Sequence, residues 1–227
     1  PGALVPGYSV RMPGQPAAAN VFLRTHAGWP QYMPAVWLLI ANFAKGGMLP
    51  LKKCQTLTVF IMATVKLNGN AMNTCGSLPA VGTAAPDFDG VKGDLSTGKL
   101  SDFLGKRVVL NVFPSLDTPT CAASVRRFNV EASKLDNTVV LCLSQDLPFA
   151  QARFCTVEGL KNVVAVSLFR DPSFGKKYGT LLVDGPLSGL QARAVVVVDE
   201  AGKVVYNQLV EKVENEPDYE AALKALK

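Results

Sequence analysis

Cys121 is the residue in this sequence best placed to do chemistry, because of what stands on either side of it. It lies within Arg107–Glu131, RVVLNVFPSLDTPTCAASVRRFNVE, which reads as an apolar run, a proline-marked loop, a cysteine and an amphipathic helix. Val108–Phe113 is short, rich in β-branched residues and stopped by a proline, the pattern of a buried strand. Pro114-Ser115-Leu116-Asp117 is turn chemistry. Thr118 is placed as an N-cap, and Pro119 as the first helical residue, where a missing amide hydrogen costs nothing. Cys121 then falls in the first helical turn, where unpaired backbone N–H groups and the helix dipole favour a thiolate. Such a cysteine is a candidate nucleophile rather than core filler, with Arg126 and Arg127 following on the same helix as possible sources of positive charge.

The residue types left out narrow the chemistry further. The single histidine, His26, and both tryptophans, Trp29 and Trp37, lie in the first 61 residues. From residue 62 onward there is no histidine, which excludes Ser-His-Asp and Cys-His catalysis and a His-ligated metal from that part. Activation of Cys121 is left to arginine, hydroxyl or backbone groups. The five cysteines (54, 75, 121, 142 and 155) form no CxxC pair, which argues against a zinc site and against a disulfide framework. Reduced thiols in an intracellular compartment fit this usage, with any disulfide being catalytic.

The elements that must hold Cys121 follow from periodicity. Thr64–Leu67 followed by Asn68-Gly69 reads as a strand and a hairpin turn. Cys75 lies in a Gly/Pro-rich stretch and is assigned no role. Ala84-Ala85-Pro86-Asp87-Phe88 leads through a polar segment to Leu100–Leu104 and the strand at 108–113. The helix after Cys121 is expected to run to about Leu135, with Val125, Phe128 and Ala132 on one buried face. Thr138–Ser144 is a second buried strand in which Cys142 serves as a small hydrophobe. Pro148–Leu160 begins as a helix and carries Cys155, Val163–Leu168 is a third strand, and Pro172–Leu181 is a short helix. Ala192–Val198 and Val204–Val210 form a hairpin around Glu200-Ala201-Gly202-Lys203, and Pro217–Leu226 closes the chain as a helix, acidic at its start and basic at its end. Strand and helix alternating in this way make an α/β fold. Right-handed crossovers put the Cys121 loop at the carboxyl end of a central strand.

Charge is unevenly placed. The net charge of +5 comes entirely from residues 1–61, which hold Arg11, Arg24, Lys45, Lys52 and Lys53 and no acidic residue. Residues 62–227 carry 18 basic and 18 acidic side chains, and no basic stripe suggests nucleic acid. Residues 1–61 show scattered Pro and Gly and no sustained periodicity, and the apolar run Ala35–Ile40 is too short to span a bilayer. They match neither a transit peptide nor a signal peptide. We expect a poorly ordered extension, foreign to a working domain that begins at Met62 and runs to Lys227.

PSLDTPTCAASVRRFN resembles the Pro-x-x-x-Thr-x-x-Cys motif of peroxiredoxins. DNTVVLCLSQDLPFAQARFC and DGPLSGLQARAVVVVDE are similar to the bacterial thiol peroxidases, the atypical two-cysteine branch of that family. The resemblance covers Met62–Lys227 and is densest from Arg107. It implies a thioredoxin-like fold, a central mixed sheet flanked by helices with an added N-terminal hairpin, and a homodimer. It implies roles as well. Cys121 corresponds to the peroxidatic cysteine, Thr118 to the hydroxyl that orients peroxide and thiolate, Pro114 to the residue shielding the pocket, and Arg193 to the arginine that pairs with the thiolate and the peroxide oxygens. Cys155 corresponds to the resolving cysteine, which forms an intrachain disulfide with Cys121 that thioredoxin reduces. The resemblance brings no metal and no cofactor, no nucleic-acid or membrane partner, and a cytoplasmic rather than periplasmic setting.

The residues have blander readings too. Thr118 serves equally as a simple cap, Cys155 as a core residue, and one of Arg126 and Arg127 as a solvated charge. Arg193 leads into the apolar strand Ala194–Val198, an expensive place for a charge without a partner. The implied function is a thioredoxin-dependent peroxidase reducing hydrogen peroxide and alkyl hydroperoxides. A peroxide sensor or stress chaperone would use the same disulfide as a switch, and a general thiol–disulfide oxidoreductase is disfavoured by the missing CxxC. Because disulfide formation needs Cα atoms within about 7 Å, local unwinding of one or both cysteine segments is expected during turnover.

Overall fold

The computed structural model describes residues 62–226 and two short strands before them, β1 (Tyr8–Val10) and β2 (Val21–Leu23). The chain divides into two units, Pro1–Leu57 and Thr58–Lys227. In the first, β1 and β2 pair antiparallel, with Tyr8 opposite Leu23. The expectations for the rest of residues 1–61, including Cys54 and the apolar run Ala35–Ile40, lie outside the described residues.

The second unit opens with the expected hairpin, β3 (Thr64–Leu67) and β4 (Asn70–Asn73). Its turn residues Asn68 and Gly69 both have positive φ, 49° and 82°. Two successive left-handed residues twist the strands the right way, and Asn-Gly is the pair that adopts them at least cost. Then follow β5 (Asp89–Lys92), β6 (Thr97–Lys99), a short 3-10 turn (Leu100–Phe103), β7 (Arg107–Val112), α1 (Pro119–Ala132), β8 (Thr138–Ser144), α2 (Pro148–Val157) and β9 (Val163–Ser167). The chain ends with α3 (Phe174–Tyr178), β10 (Ala194–Val198), β11 (Val204–Leu209) and α4 (Tyr219–Lys224).

Seven strands form one mixed sheet in the order β11-β10-β7-β8-β9-β5-β6. The three inner strands β7, β8 and β9 are parallel, while β10, β11, β5 and β6 are added antiparallel. Alternation along β7 sorts its side chains onto two faces. Val108, Leu110 and Val112 pack with Phe88, Phe174 and Tyr178, while Val109 and Phe113 pack with Val125 and Phe128 of α1, Ala222 of α4 and Phe154 of α2. Both faces are therefore covered, and β7, β8 and β10 read as near-continuous apolar runs for that reason. Hairpin β3–β4 keeps its own cluster, Val65 and Met72 against Leu182, Ala192 and Val213.

Several boundaries differ from expectation. α1 stops at Ala132 rather than near Leu135, α3 spans five residues, and α4 starts at Tyr219, where the Asp218 carboxylate accepts the Ala221 N–H at 2.9 Å. The larger difference is β5–β6, where the sequence shows only a polar connection. Its strands hold glycines at the positions facing the sheet: a Cβ on Gly90 would sit 2.1 Å from Val166 Cγ1. Contact of this kind leaves no hydrophobic alternation to read.

Candidate active site

The site forms where β7 hands over to α1. β7 lies between β10 and β8 in the sheet, and its carboxyl end runs through Phe113 and the buried Pro114 into a tight loop. Thr118 N–H donates to Ser115 O at 3.2 Å, and Thr118 is the N-cap by position with Pro119 first in the helix. Its hydroxyl does not cap α1; it donates to Ser115 O at 3.1 Å and is exposed at the loop surface. Cys121 is the third helical residue, so its backbone N–H is among those with no carbonyl one turn earlier.

The Cys121 side chain is fully buried, and so is Arg193, 1% exposed, directly before β10. Their placement follows from the β7–β10 pairing, which sets Ala194 opposite Val112 at the carboxyl end of β7. Arg193 Nη2 donates to Cys121 Sγ at 3.3 Å. The guanidinium is oriented from the far side by one carbonyl, Val213 O, which accepts from Nε at 3.2 Å and Nη2 at 3.1 Å. Val213 is in turn pinned by the first hairpin, its N–H donating to Lys66 O at 2.9 Å. Among the described residues, Arg193 Nη1 is buried with no partner. A buried guanidinium N–H without an acceptor is costly, and here it sits on the group that already touches the cysteine sulfur. An oxygen ligand at Cys121 would satisfy it.

Arg126 and Arg127 are not part of this cluster. Arg126 makes a two-pronged contact with Glu158, both bonds 2.8 Å, and Arg127 pairs with Glu131 at 3.2 Å one turn along α1. Both point to the solvated side of the helix, because two residues five and six positions past Cys121 lie away from its buried face. The positive charge at Cys121 is supplied by Arg193, 72 residues downstream.

Cys155 lies on α2, half-buried, and both it and Cys121 are free thiols. Burial pushes the Cys155 thiol up from its ordinary range. Cys142 is buried mid-strand as expected, and burial pushes it up to about 12, partly offset by the Asn111 side chain. Asn111 Nδ2 faces Cys142 Sγ at 3.8 Å and Ser124 Oγ at 3.3 Å. Cys75 is half-buried, its thiol directed at Gly175 O at 3.1 Å. A thiol raised by burial holds its proton more tightly folded than unfolded. Below the ordinary thiol value of about 8.5 this is neutral toward stability, and above it the open state gains. Alkylation of the reduced protein, mapped by peptide, should therefore spare Cys142 at neutral pH and reach Cys155 slowly, faster as pH rises above about 8.5. Cys142 labelling as fast as Cys155 would contradict this reading of the two thiols.

Two parts of the site had no readable sign in the sequence. One is the Val213 carbonyl, a backbone group that any residue supplies. The other is Asp146, whose carboxylate accepts from Ser115 Oγ at 2.7 Å and from Leu116 N–H at 2.8 Å, holding the loop before Cys121. An acid between a strand and a proline-led helix reads as ordinary loop polarity.

Residues 80–223 match the redoxin family. Thiol peroxidases of Mycobacterium tuberculosis strain H37Rv and Mycobacterium bovis are each 54% identical to the chain over 165 residues, covering 73% of it and 99% of themselves. Among solved structures, a peroxiredoxin-like protein from Aquifex aeolicus is 38% identical with a TM-score of 0.69, covering 73% of this chain and 96% of that one. The thiol peroxidase from Chromobacterium violaceum, 24% identical with a TM-score of 0.66 over 72% of this chain and 94% of that one, shares the fold. The seven-stranded sheet with its helices and extra hairpin is thus a thioredoxin-like α/β fold. A likeness that runs the full length of the mycobacterial relatives, around a buried cysteine held by an arginine, places the chain in the redoxin family as a thiol peroxidase, a peroxiredoxin enzyme that acts on hydroperoxides.

Proposed function

We propose that Cys121 is the nucleophile of this peroxidase and that Cys155 resolves it. The observation that carries the assignment is the Arg193 guanidinium, with one nitrogen on Cys121 Sγ at 3.3 Å and another, Nη1, buried and without a partner among the described residues. The first turn of α1 and Arg193 together put positive potential on the sulfur. A hydroperoxide bound beside Cys121 would give Nη1 the acceptor it lacks. The Cys121 thiolate attacks the terminal peroxide oxygen, an S–O bond forms and the O–O bond breaks. The departing alkoxide or hydroxide takes a proton to leave as alcohol or water, and Cys121 remains as a sulfenic acid. Arg193 stabilises the negative charge that grows on the leaving oxygen, already oriented by Val213 O, so no reorganisation is needed at the moment of reaction.

In this reading the Thr118 hydroxyl turns from Ser115 O toward Cys121 and gives peroxide and sulfur a shared partner. Pro114 is buried at the loop's entry and excludes water from the sulfur. The Cys155 thiolate then attacks the Cys121 sulfenic sulfur, an S–S bond forms, the S–O bond breaks, and the hydroxyl leaves as water with one proton. A dithiol reductant returns both cysteines to thiols by exchange. The reductant of this proposal is thioredoxin, the assembly a homodimer, and the setting the cytoplasm of a bacterium, where free thiols persist. Among the described residues no helix is long and apolar enough to cross a membrane. The working domain of the proposal is Met62–Lys227. The mycobacterial relatives match 165 residues at nearly their full length, close to that span. Residues 1–61 are the extension before it.

Turnover of cumene hydroperoxide, coupled to thioredoxin, its reductase and NADPH, tests the reading. Cys155→Ser should still consume one equivalent of peroxide, then stall as a sulfenic acid that excess peroxide carries to sulfinic acid, with thioredoxin-linked turnover lost. Undiminished turnover in that variant would remove Cys155 from the mechanism. Slow turnover in the unmodified protein, with the Cys121–Cys155 disulfide still forming, would favour the sensor instead, since a switch needs one oxidation and a peroxidase many.

A further inference from the structure

Asp146 lies between the two cysteine-bearing segments, bonded directly to the Cys121 loop and through Ser144 to the Cys155 helix. It follows β8 by two residues and precedes Leu147, the N-cap of α2. On the Cys121 side, its Oδ1 accepts from Ser115 Oγ at 2.7 Å and its Oδ2 from Leu116 N–H at 2.8 Å. On the Cys155 side, Oδ2 also accepts from Ser144 Oγ at 2.7 Å, and Ser144 Oγ accepts from Gln151 Nε2, in the first turns of α2, at 3.0 Å. Gln151 Nε2 further donates to Val166 O at 3.3 Å, and Ser167 Oγ donates to the Asp146 backbone carbonyl. Ser144, Gln151 and Ser167 are essentially without exposure. Among the described residues no cation pairs with Asp146, so its charge is met by these donors alone.

We propose that Asp146 is a positioning residue that makes the Cys121 loop and the Cys155 helix open as one unit. The inference rests on the peroxidase reading above. Hydrogen bonds to a charged acceptor are stronger than neutral ones, and removing the acceptor leaves buried donors unsatisfied. If the 115–116 loop departs, the carboxylate loses two of its donors. If the first turns of α2 depart, Gln151 leaves Ser144 and the remaining network weakens in turn. Departure of either segment thus loosens the hold on the other. In this proposal, formation of the disulfide shifts both. The same carboxylate therefore keeps Cys121 against Arg193 for attack on peroxide and resists the motion that follows it.

The test uses the full chain with Asp146→Ala and Asp146→Asn. Hydrogen exchange of the reduced protein should show the Leu116 amide and the α2 amides, Gln151 among them, exchanging roughly tenfold faster or more in Asp146→Ala, the scale set by losing bonds to a charged group. Both should rise together while β7 and β10 stay protected. Asp146→Asn should fall in between, because its amide oxygen still accepts and the Ser115 and Ser144 hydroxyls can rotate to accept from its NH2. In kinetics, Asp146→Ala should react more slowly with peroxide yet form less sulfinic acid per turnover, because the opened state reaches the disulfide sooner. Faster exchange at one segment only, uniform acceleration across the sheet, or an unchanged sulfinic fraction would each overturn the proposal. The exchange result stands apart from the peroxidase reading. Absence of turnover in the unmodified protein would strike that reading, while coupled or uncoupled opening would still decide the role of Asp146.

Discussion

Replacing Cys121 with serine should abolish hydroperoxide turnover, a loss on the order of 10⁴-fold or greater, as for other enzymes stripped of their nucleophile. The protein should nonetheless stay folded. The site is fully buried, serine differs from cysteine by one atom, and its hydroxyl can accept from Arg193 Nη2 as the sulfur does at 3.3 Å. Peroxide consumption and a thermal melt on the same preparation separate the two effects. The expected pair of results is no turnover with a Tm close to that of the unmodified protein. Turnover surviving in Cys121→Ser would transfer the chemistry to another thiol, and Cys155 would be the first to examine.

The second large effect concerns Arg193. Arg193→Lys keeps a positive charge but loses the planar fork that grips Val213 O through Nε and Nη2 while Nη2 also reaches the sulfur. The rate constant for reaction with peroxide should fall by about 10²–10³, the range for removing a preorganised donor from a site of developing charge. Arg193→Met should fall at least as far and also lose stability, because the Val213 carbonyl is left without its donors at a cost of about 1–3 kcal/mol. Stopped-flow oxidation of the reduced protein measures the first, and denaturant unfolding the second. A lysine variant reacting at the original rate would mean that charge alone suffices and that the fork is structural.

Much of this was legible in the sequence because the signals were local. The Pro119 helix start, the Cys121 position in its first turn and the buried strand before it are each written within a few residues of one another. The Asn68-Gly69 turn is of the same kind. What escaped was set by partners far along the chain. Arg126 and Arg127 look like activating charges when only α1 is in view, and their real partners, Glu158 and Glu131, turn them outward. Arg193 drew attention through its cost, an arginine leading into Ala194–Val198, with its function supplied by family likeness. Only the pairing of β10 with β7 brings it to Cys121. The β5–β6 edge was missed because Gly90 and Gly98 hold its close packing against Val166 and leave no apolar alternation. Asp146 and Val213 O act through hydrogen-bond geometry, which residue type alone does not encode.

The most direct test of the account is where the disulfide forms. Reduced protein would receive one equivalent of cumene hydroperoxide, be trapped with an alkylating reagent in denaturant, and be mapped by peptide mass. Cys155 has two candidate partners, Cys121 and Cys142, both buried free thiols. The account predicts a Cys121–Cys155 crosslink formed in proportion to peroxide consumed, with Cys142 recovered as a free thiol because burial keeps it protonated and out of reach. A Cys142–Cys155 crosslink, or oxidation that leaves Cys121 free, would contradict it.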